Sequence, residues 1–392
     1  MDQQTDIRFD LLDPKYRADP YPVYDRLREG GPVRQLAAGL WVITGHAEAR
    51  EALEHPDFAH WTRTDPASAP EGTDFEAVSA RWFALVHPGR KTGFRRALLA
   101  LMGGEALERI GTGLHEHAGV LLDRAVTDGG MDVIADYARP LTQAVAADMM
   151  GLDAAEAAGF ADAMQAASGS ALSGFVQSTT VEADPVGEWI AAQIARCMRN
   201  PGHDMISLLL AAASRGDCDA RDLPAFCRLL IFAATDNMTN FIGNATFSLL
   251  AQPDAMAHIA QAGVDDHAIA ELLRHDSPVQ ALPLTALREA RVTGVTVEPG
   301  ETALVLIGAA NHDPAVFAEP SRIAFDRIGA ATLSFGSGAL SCLGARMARR
   351  IGALTLALLF SRLPAMRCDT GTVHWQAGMP MLRGLECLPV KL

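Results

Sequence analysis

Leu333 to Phe360 reads LSFGSGALSCLGARMARRIGALTLALLF, a glycine-rich loop that delivers one cysteine into the start of an aliphatic helix. Gly336, Gly338 and Gly344 let the backbone turn tightly and approach a flat ligand closely. The free N–H groups at a helix start stabilise a negative sulfur. A thiolate held in this way suits a metal, and one cysteine is enough when a porphyrin supplies the other four donors. From the residues alone, a buried cysteine in a tight turn remains the alternative. A nucleotide loop at Gly336-Ser337-Gly338 is disfavoured, because Ser341 stands where a third glycine is needed and no βαβ unit with a following acidic residue is apparent.

The rest of the chain narrows the function classes. Of 392 residues, 49% are hydrophobic and 20% charged, which excludes a disordered chain and points to an aliphatic, helix-rich core. Lysine and arginine number 33 against 47 acidic residues, a formal charge of −14. That balance argues against a sequence-independent nucleic-acid binder, which needs positive surface to displace counterions. The opening MDQQTDIRFDLLDPKYRADPYPVY shows no cationic segment followed by an apolar run, so neither a secretion signal nor a membrane anchor is expected, and the cytoplasm is the expected compartment. The six cysteines, Cys197, Cys218, Cys227, Cys342, Cys368 and Cys387, form no CxxC pair, which indicates neither a zinc site nor a disulfide framework.

Leu40 to Thr44 predicts a strand running into Gly45, with a helix from Ala47 to Leu53 after it. The Pro-, Ser- and Gly-rich stretch from Asp65 to Thr73 predicts an exposed loop. From about Arg95 to Leu273 apolar residues recur at helical spacing, broken near Gly103, Gly129, Gly151, Gly169 to Gly174, Asp184 to Gly187, Pro201 and Pro253. Within this body Phe226 to Gln252 spans about seven turns and is apolar on nearly all sides, so it belongs in the middle of the fold. Asp236, Asn237, Asn240 and Asn244 interrupt it and exclude a membrane span. Past Pro278 the pattern alternates and turns at Gly294 and at Pro299-Gly300, predicting short strands and a hairpin.

The cysteine loop resembles that of the cytochrome P450 family, which reads F-G-x-G-x-H-x-C-x-G and continues into a helix carrying A-R. Here Phe335, Gly336, Gly338, Cys342 and Gly344 match, as do Ala348 and Arg349, while Leu340 takes the place of the histidine. Glu271-Leu-Leu-Arg274 is similar to the family's E-x-x-R helix, and Arg322 is expected as its third member. Asp19 to Val33, the WVITGHAEAREAL stretch, Asn311 to Pro314, Arg383 to Leu385 and Leu388 to Val390 extend the resemblance over nearly the whole chain. What it implies is a mainly α fold with small β-sheets, a single domain over 1–392, and a long central helix across a buried haem b, iron protoporphyrin IX. Cys342 would be the iron ligand, with Phe335 beside its sulfur.

The resemblance also assigns the central helix. Ala233-Ala234-Thr235-Asp236-Asn237 stands where the family has A-G-x-E/D-T. Ala233 would leave room over the haem, Asp236 is the candidate for proton delivery, and a salt-bridged or solvated acid is the alternative. Asn237 replaces the usual threonine, with Thr239 two residues on, and either alters oxygen activation or contacts a polar substrate. Lys91 and Arg95 are expected at the haem propionates, or else form a basic surface helix. Leu284 stands where the family has an arginine, and Arg288 could compensate.

Phe232, Thr235, Leu282, Leu284, Met379 and the loop from Trp61 to Trp82 are expected to line the substrate space, several of them instead filling core. The implied activity is a monooxygenase acting on a hydrophobic or natural-product substrate. A separate ferredoxin-type carrier would dock on Arg90, Lys91, Arg96, Arg346 and Arg350, and the protein is expected as a monomer. Oxidative coupling, ring closure or peroxide-driven chemistry, and a catalytically silent binding module, stay open as alternatives.

Overall fold

The computed structural model describes residues 9–10, 13–60, 104–167, 184–202, 204–327, 331–377 and 381–392. The expected helical body is present, and its punctuation is chemical. Gly151 ends the helix Arg139–Met150 in the left-handed conformation at φ 71°. Asp153 and Glu156 form a reciprocal cap at the start of Ala154–Ala166. Asp204 and Asp265 cap Met205–Ser214 and Asp266–His275 in the same manner, each accepting a backbone N–H. Pro253 opens a new helix, Pro253–Ala262, directly after the central one.

The central helix runs Leu223–Ala251, 29 residues, or about 43 Å at 1.5 Å per residue. It packs against Arg139–Met150 on one side and Ala345–Arg362 on another, and these two also pack on Gly104–Asp128, around an aliphatic core that includes Leu114, Ile134, Leu141, Phe241, Ile242, Ile269 and Leu356. A second cluster, with Phe160, Ile190, Leu209 and Phe226, fills the space between the first half of the central helix and the helices Ala154–Ala166, Pro185–Arg199 and Met205–Ser214.

A five-stranded sheet takes residues from both ends of the chain, in the spatial order Val33–Ala37, Leu40–Ile43, Thr302–Leu306, Ala281–Ala286, Phe58–His60. Leu40–Ile43 pairs parallel with Thr302–Leu306, and the other neighbours pair antiparallel. The expected strand into Gly45 is there, followed by the helix His46–Glu54. The expected hairpin is Ala290–Val292 paired with Val295–Val297, turning through Thr293 and Gly294, both at positive φ. Among the described residues no helix is long and apolar enough to cross a membrane. The Asp65–Thr73 loop lies outside the described residues.

Candidate haem-thiolate site

Two of the three loop glycines are required by the backbone. Gly336 sits at φ 71° and Gly338 at φ 57°, a region that side chains rarely adopt. A Cβ on Gly336 would also lie 2.7 Å from the Leu340 carbonyl oxygen, and one on Gly338 would lie 2.9 Å from Glu54. Gly344 has an ordinary φ of −83° and meets only Cys342 Sγ at 3.9 Å, so the three glycines are not equivalent as the loop pattern suggested. The loop closes on itself where the Cys342 N–H donates to the Phe335 carbonyl at 2.8 Å.

Cys342 lies deep in the protein mass, and loss of water pushes its thiol pKa up, while N–H groups of Gly344 and Ala345 aimed at the sulfur pull it down. Yet the residue's own surface is exposed. A residue enclosed by protein and yet exposed fits a thiol that borders an internal space. A donor pair at a helix start, a deep cysteine with an exposed face, and a loop whose Gly336 and Gly338 admit no side chain together fit a thiolate ligand for a haem. Metal binding would displace the thiol proton that burial otherwise retains. All six cysteines are free, and among the described residues no cluster of three or more His, Cys, Asp or Glu side chains could hold a metal ion.

The ground behind this loop is a closed polar frame. Arg274, 2% exposed, donates to both Glu271 oxygens at 2.7 and 2.8 Å. Its remaining donors go to the carbonyls of Asn311, Pro320 and Arg322 at 3.0, 2.8 and 3.1 Å, which uses the whole guanidinium. The third member is Arg327, whose Nε reaches Glu271 at 3.0 Å. This corrects the expectation of Arg322, whose side chain is 63% exposed and reaches only Glu319, at 3.7 Å. The chain turns back after Ala324, whose N–H also donates to Glu271, so the arginine three residues later is the one aimed inward. Burial pushes the Glu271 carboxyl up, but Arg274, the Ala324 N–H and Arg327 hold it below its ordinary value.

Asn311 carries the frame to the loop, a role the sequence reading did not assign although it noted Asn311 to Pro314. Its Oδ1 accepts from the Leu333 N–H at 2.9 Å and its Nδ2 donates to Ser334 Oγ at 2.9 Å, while Ser334 Oγ donates to the Leu273 carbonyl at 2.8 Å. The signal available was a fully buried asparagine two residues before Asp313, which in turn accepts the His46 N–H at 2.9 Å.

Phe335 packs against the main core and lies under the Arg349 guanidinium, 5.5 Å from ring centre. Leu340 and Leu284, the two apolar replacements, border one cluster with Leu53, Phe58 and Leu333. Leu284 is fully buried there, and Leu282 packs against the same cluster, half-buried. Arg288, Arg346 and Arg350 are exposed. Lys91, Arg95, Met379, Arg90, Arg96 and the stretch from Trp61 to Trp82 lie outside the described residues.

On the central helix, burial relaxes at 232–237. Ala233 is exposed, Phe232, Ala234, Asp236 and Asn237 are half-buried, and residues 238–246 are buried throughout. Thr235 is an exception in that stretch: it is 2% exposed, with its hydroxyl 2.8 Å from the Ile231 carbonyl and 3.0 Å from Asp236 Oδ2. Its side chain is therefore engaged by the helix rather than offered to a substrate. The Thr239 hydroxyl is shared with Thr142 at 2.8 Å. Phe232 and Ala234 border the same buried cluster as Leu343, the residue after the cysteine, so the helix and the loop meet there.

A family profile described as Cytochrome P450 matches residues 190–370. The pentalenic acid synthase of Streptomyces avermitilis is 30% identical, covering 89% of this chain and 88% of its own. The vitamin D(3) 25-hydroxylase of Pseudonocardia autotrophica is 28% identical over 98% of this chain and 96% of its own. Among solved structures, Mycobacterium smegmatis CYP164A2 with econazole bound is 28% identical, superposes with a TM-score of 0.81 and covers 97% of this chain and 98% of its own.

Proposed function

The chain belongs to the cytochrome P450 family, whose relatives are monooxygenases, and we propose that within it this protein is a single-domain cytoplasmic enzyme that inserts one oxygen atom from O2 into a hydrophobic or natural-product substrate. The observation that carries this reading is the exposed Cys342, set at a glycine-locked bend with two N–H groups turned toward its sulfur. Haem, when bound there, supplies the oxygen-activating chemistry.

The chain's own residues do the rest. Cys342 would supply the anionic sulfur that holds the haem iron, and the Gly344 and Ala345 N–H groups moderate its charge. The Glu271–Arg274–Arg327 frame, passed on through Asn311 and Ser334, fixes where that sulfur sits. Ala233 leaves open space along the central helix, and the half-buried Asp236 carboxylate is placed to hold and pass on a proton there. Lys91 and Arg95 are proposed for the haem carboxylates, with Met379 and Phe232 lining the substrate space.

Electrons would come from a separate ferredoxin-type protein. Arg346 and Arg350 are exposed in the first turns of the helix that Cys342 feeds, on a chain of net charge −14. The names of the two relatives above, a hydroxylase of vitamin D(3) and a pentalenic acid synthase, support a lipophilic substrate class. Asn237 favours a second reading, oxidative coupling or peroxide-driven chemistry without net oxygen insertion. Turnover under 18O2 with a surrogate ferredoxin and its reductase separates the two: one labelled oxygen per product supports the first, and unlabelled coupled or cyclised product supports the second.

A further inference from the structure

Asn237, Asn240 and Asn244 follow one another at helical spacing along one side of the central helix. The lower two are staples. Asn240 Oδ1 accepts from Gln376 Nε2 at 3.0 Å, with Gly384 so close that a Cβ there would strike it. Asn244 Nδ2 donates to the Arg383 carbonyl at 3.1 Å. Both therefore pin the C-terminal segment, and both are at most 2% exposed. Asn237 differs in place and in being unpinned, although Asn244 shares an unpartnered Oδ1 and is held by its Nδ2 alone. Asn237 lies one turn beyond exposed Ala233, keeps part of its surface open, and its Oδ1 is buried with no hydrogen-bond partner among the described residues.

A buried amide oxygen without a donor costs free energy, and where the residue also borders open space, as Asn237 does and the enclosed Asn244 does not, a ligand can supply the missing partner. The neighbouring hydroxyls do not, because Thr235 is engaged with Ile231 and Asp236, and Thr239 with Thr142. The torsion at the end of an asparagine side chain is broad and roughly two-fold, so the oxygen and the NH2 group exchange places easily. Whichever edge faces the open side of the helix, a hydroxyl matches it, being both donor and acceptor.

We infer that Asn237 is a specificity-determining residue that docks a hydroxyl group carried by the substrate, so that the enzyme selects hydroxylated over wholly hydrocarbon ligands. The inference rests on the haem-site reading above. It narrows the substrate class to apolar molecules with a hydroxyl near the carbon to be oxidised, held against the helix turn that also bears Asp236.

The test uses the haem-loaded protein and 4-phenylimidazole, whose nitrogen binds iron and leaves the phenyl ring in the substrate space. It is compared with its 2-, 3- and 4-hydroxyphenyl isomers by titration of the Soret band. At least one isomer is expected to bind roughly fivefold tighter than the parent, the worth of one neutral hydrogen bond. In Asn237→Leu that gain is expected to vanish, the ratio of hydroxylated to parent affinity falling to about one whatever the parent's own affinity. If the leucine variant fails to retain haem, Asn237→Ala is read in the same way. No gain with any isomer in the wild type, or a gain that survives in the variant, overturns the inference. The Soret shift of the parent compound shows an intact haem site in every arm, so a failed hydroxyl comparison leaves the haem-thiolate reading standing.

Discussion

Arg274, behind the cysteine loop, places its whole guanidinium on a carboxylate and three carbonyls. Asn237, on the central helix, leaves a buried oxygen without a partner among the described residues. The Arg274 side chain is buried and fully engaged by protein, so each of its donors has one place to be. The Asn237 side chain is half-buried and short of a partner, and the burial that holds for residues 238–246 stops at its edge. The contrast separates two jobs. The frame that must hold an anionic sulfur in register has the whole Arg274 guanidinium satisfied by protein, and the helix turn that must receive a changing ligand keeps an amide oxygen unsatisfied.

The sharpest way to break that contrast is to open the frame. Arg274→Leu leaves Glu271 without its main partner, and removing one side of a buried pair costs about 3–5 kcal/mol. Chemical denaturation should show a loss of that size together with loss of haem retention. Arg327→Ala, a partly exposed member of the same frame, should cost less, about 1–3 kcal/mol. Arg322→Ala should stay within about 0.5 kcal/mol. Equal effects at 322 and 327 would contradict the assignment of the third member.

On the helix side the expectation is reversed, with stability preserved and chemistry lost. Asp236→Asn should slow turnover about 100-fold, within the range for a lost proton relay, while haem content and denaturation midpoint stay unchanged. Unaltered turnover would remove Asp236 from the mechanism.

A smaller effect is a slope with pH. His312, stacked on Tyr21 at 3.8 Å and bonded to the His275 carbonyl at 2.7 Å, is pushed well below its ordinary pKa, first by burial and then by Arg274. His275 is lowered too, again mainly by burial. Above pH 6.5 both histidines are neutral whether folded or unfolded and contribute no slope. As pH falls through the unfolded value of 6.5, the unfolded chain takes up protons that the folded chain refuses, so stability falls. Urea midpoints from pH 7.5 to 5.5 should decline, and His312→Gln should flatten the decline.

Much of this was legible in the sequence because it depends on local chemistry. The strand into Gly45, the breaks at Gly151 and Pro253, the long apolar helix and the Gly294 hairpin each follow from periodicity and turn residues, and each is present. The cysteine stood out because its loop carries glycines where the backbone needs them, at 336 and 338. What escaped depends on how distant pieces meet. Spacing does not say whether Arg322 or Arg327 turns inward, since that is decided by the path after Ala324. Strand pairing between residues 40–43 and 302–306 has no local signature, so the burial of Leu284 in the sheet's own cluster could not be foreseen. The Thr235 side chain looked available because a pattern records residue types and not where a hydroxyl is already engaged.

The central claim is that Cys342 binds haem iron as a thiolate, and the absorption spectrum of the reduced, carbon monoxide-bound protein tests it most directly. A strongly red-shifted Soret band, abolished in Cys342→Ala, is the predicted result. A band typical of nitrogen or oxygen ligation in the wild type, or an unchanged red-shifted band in the alanine variant, would contradict it.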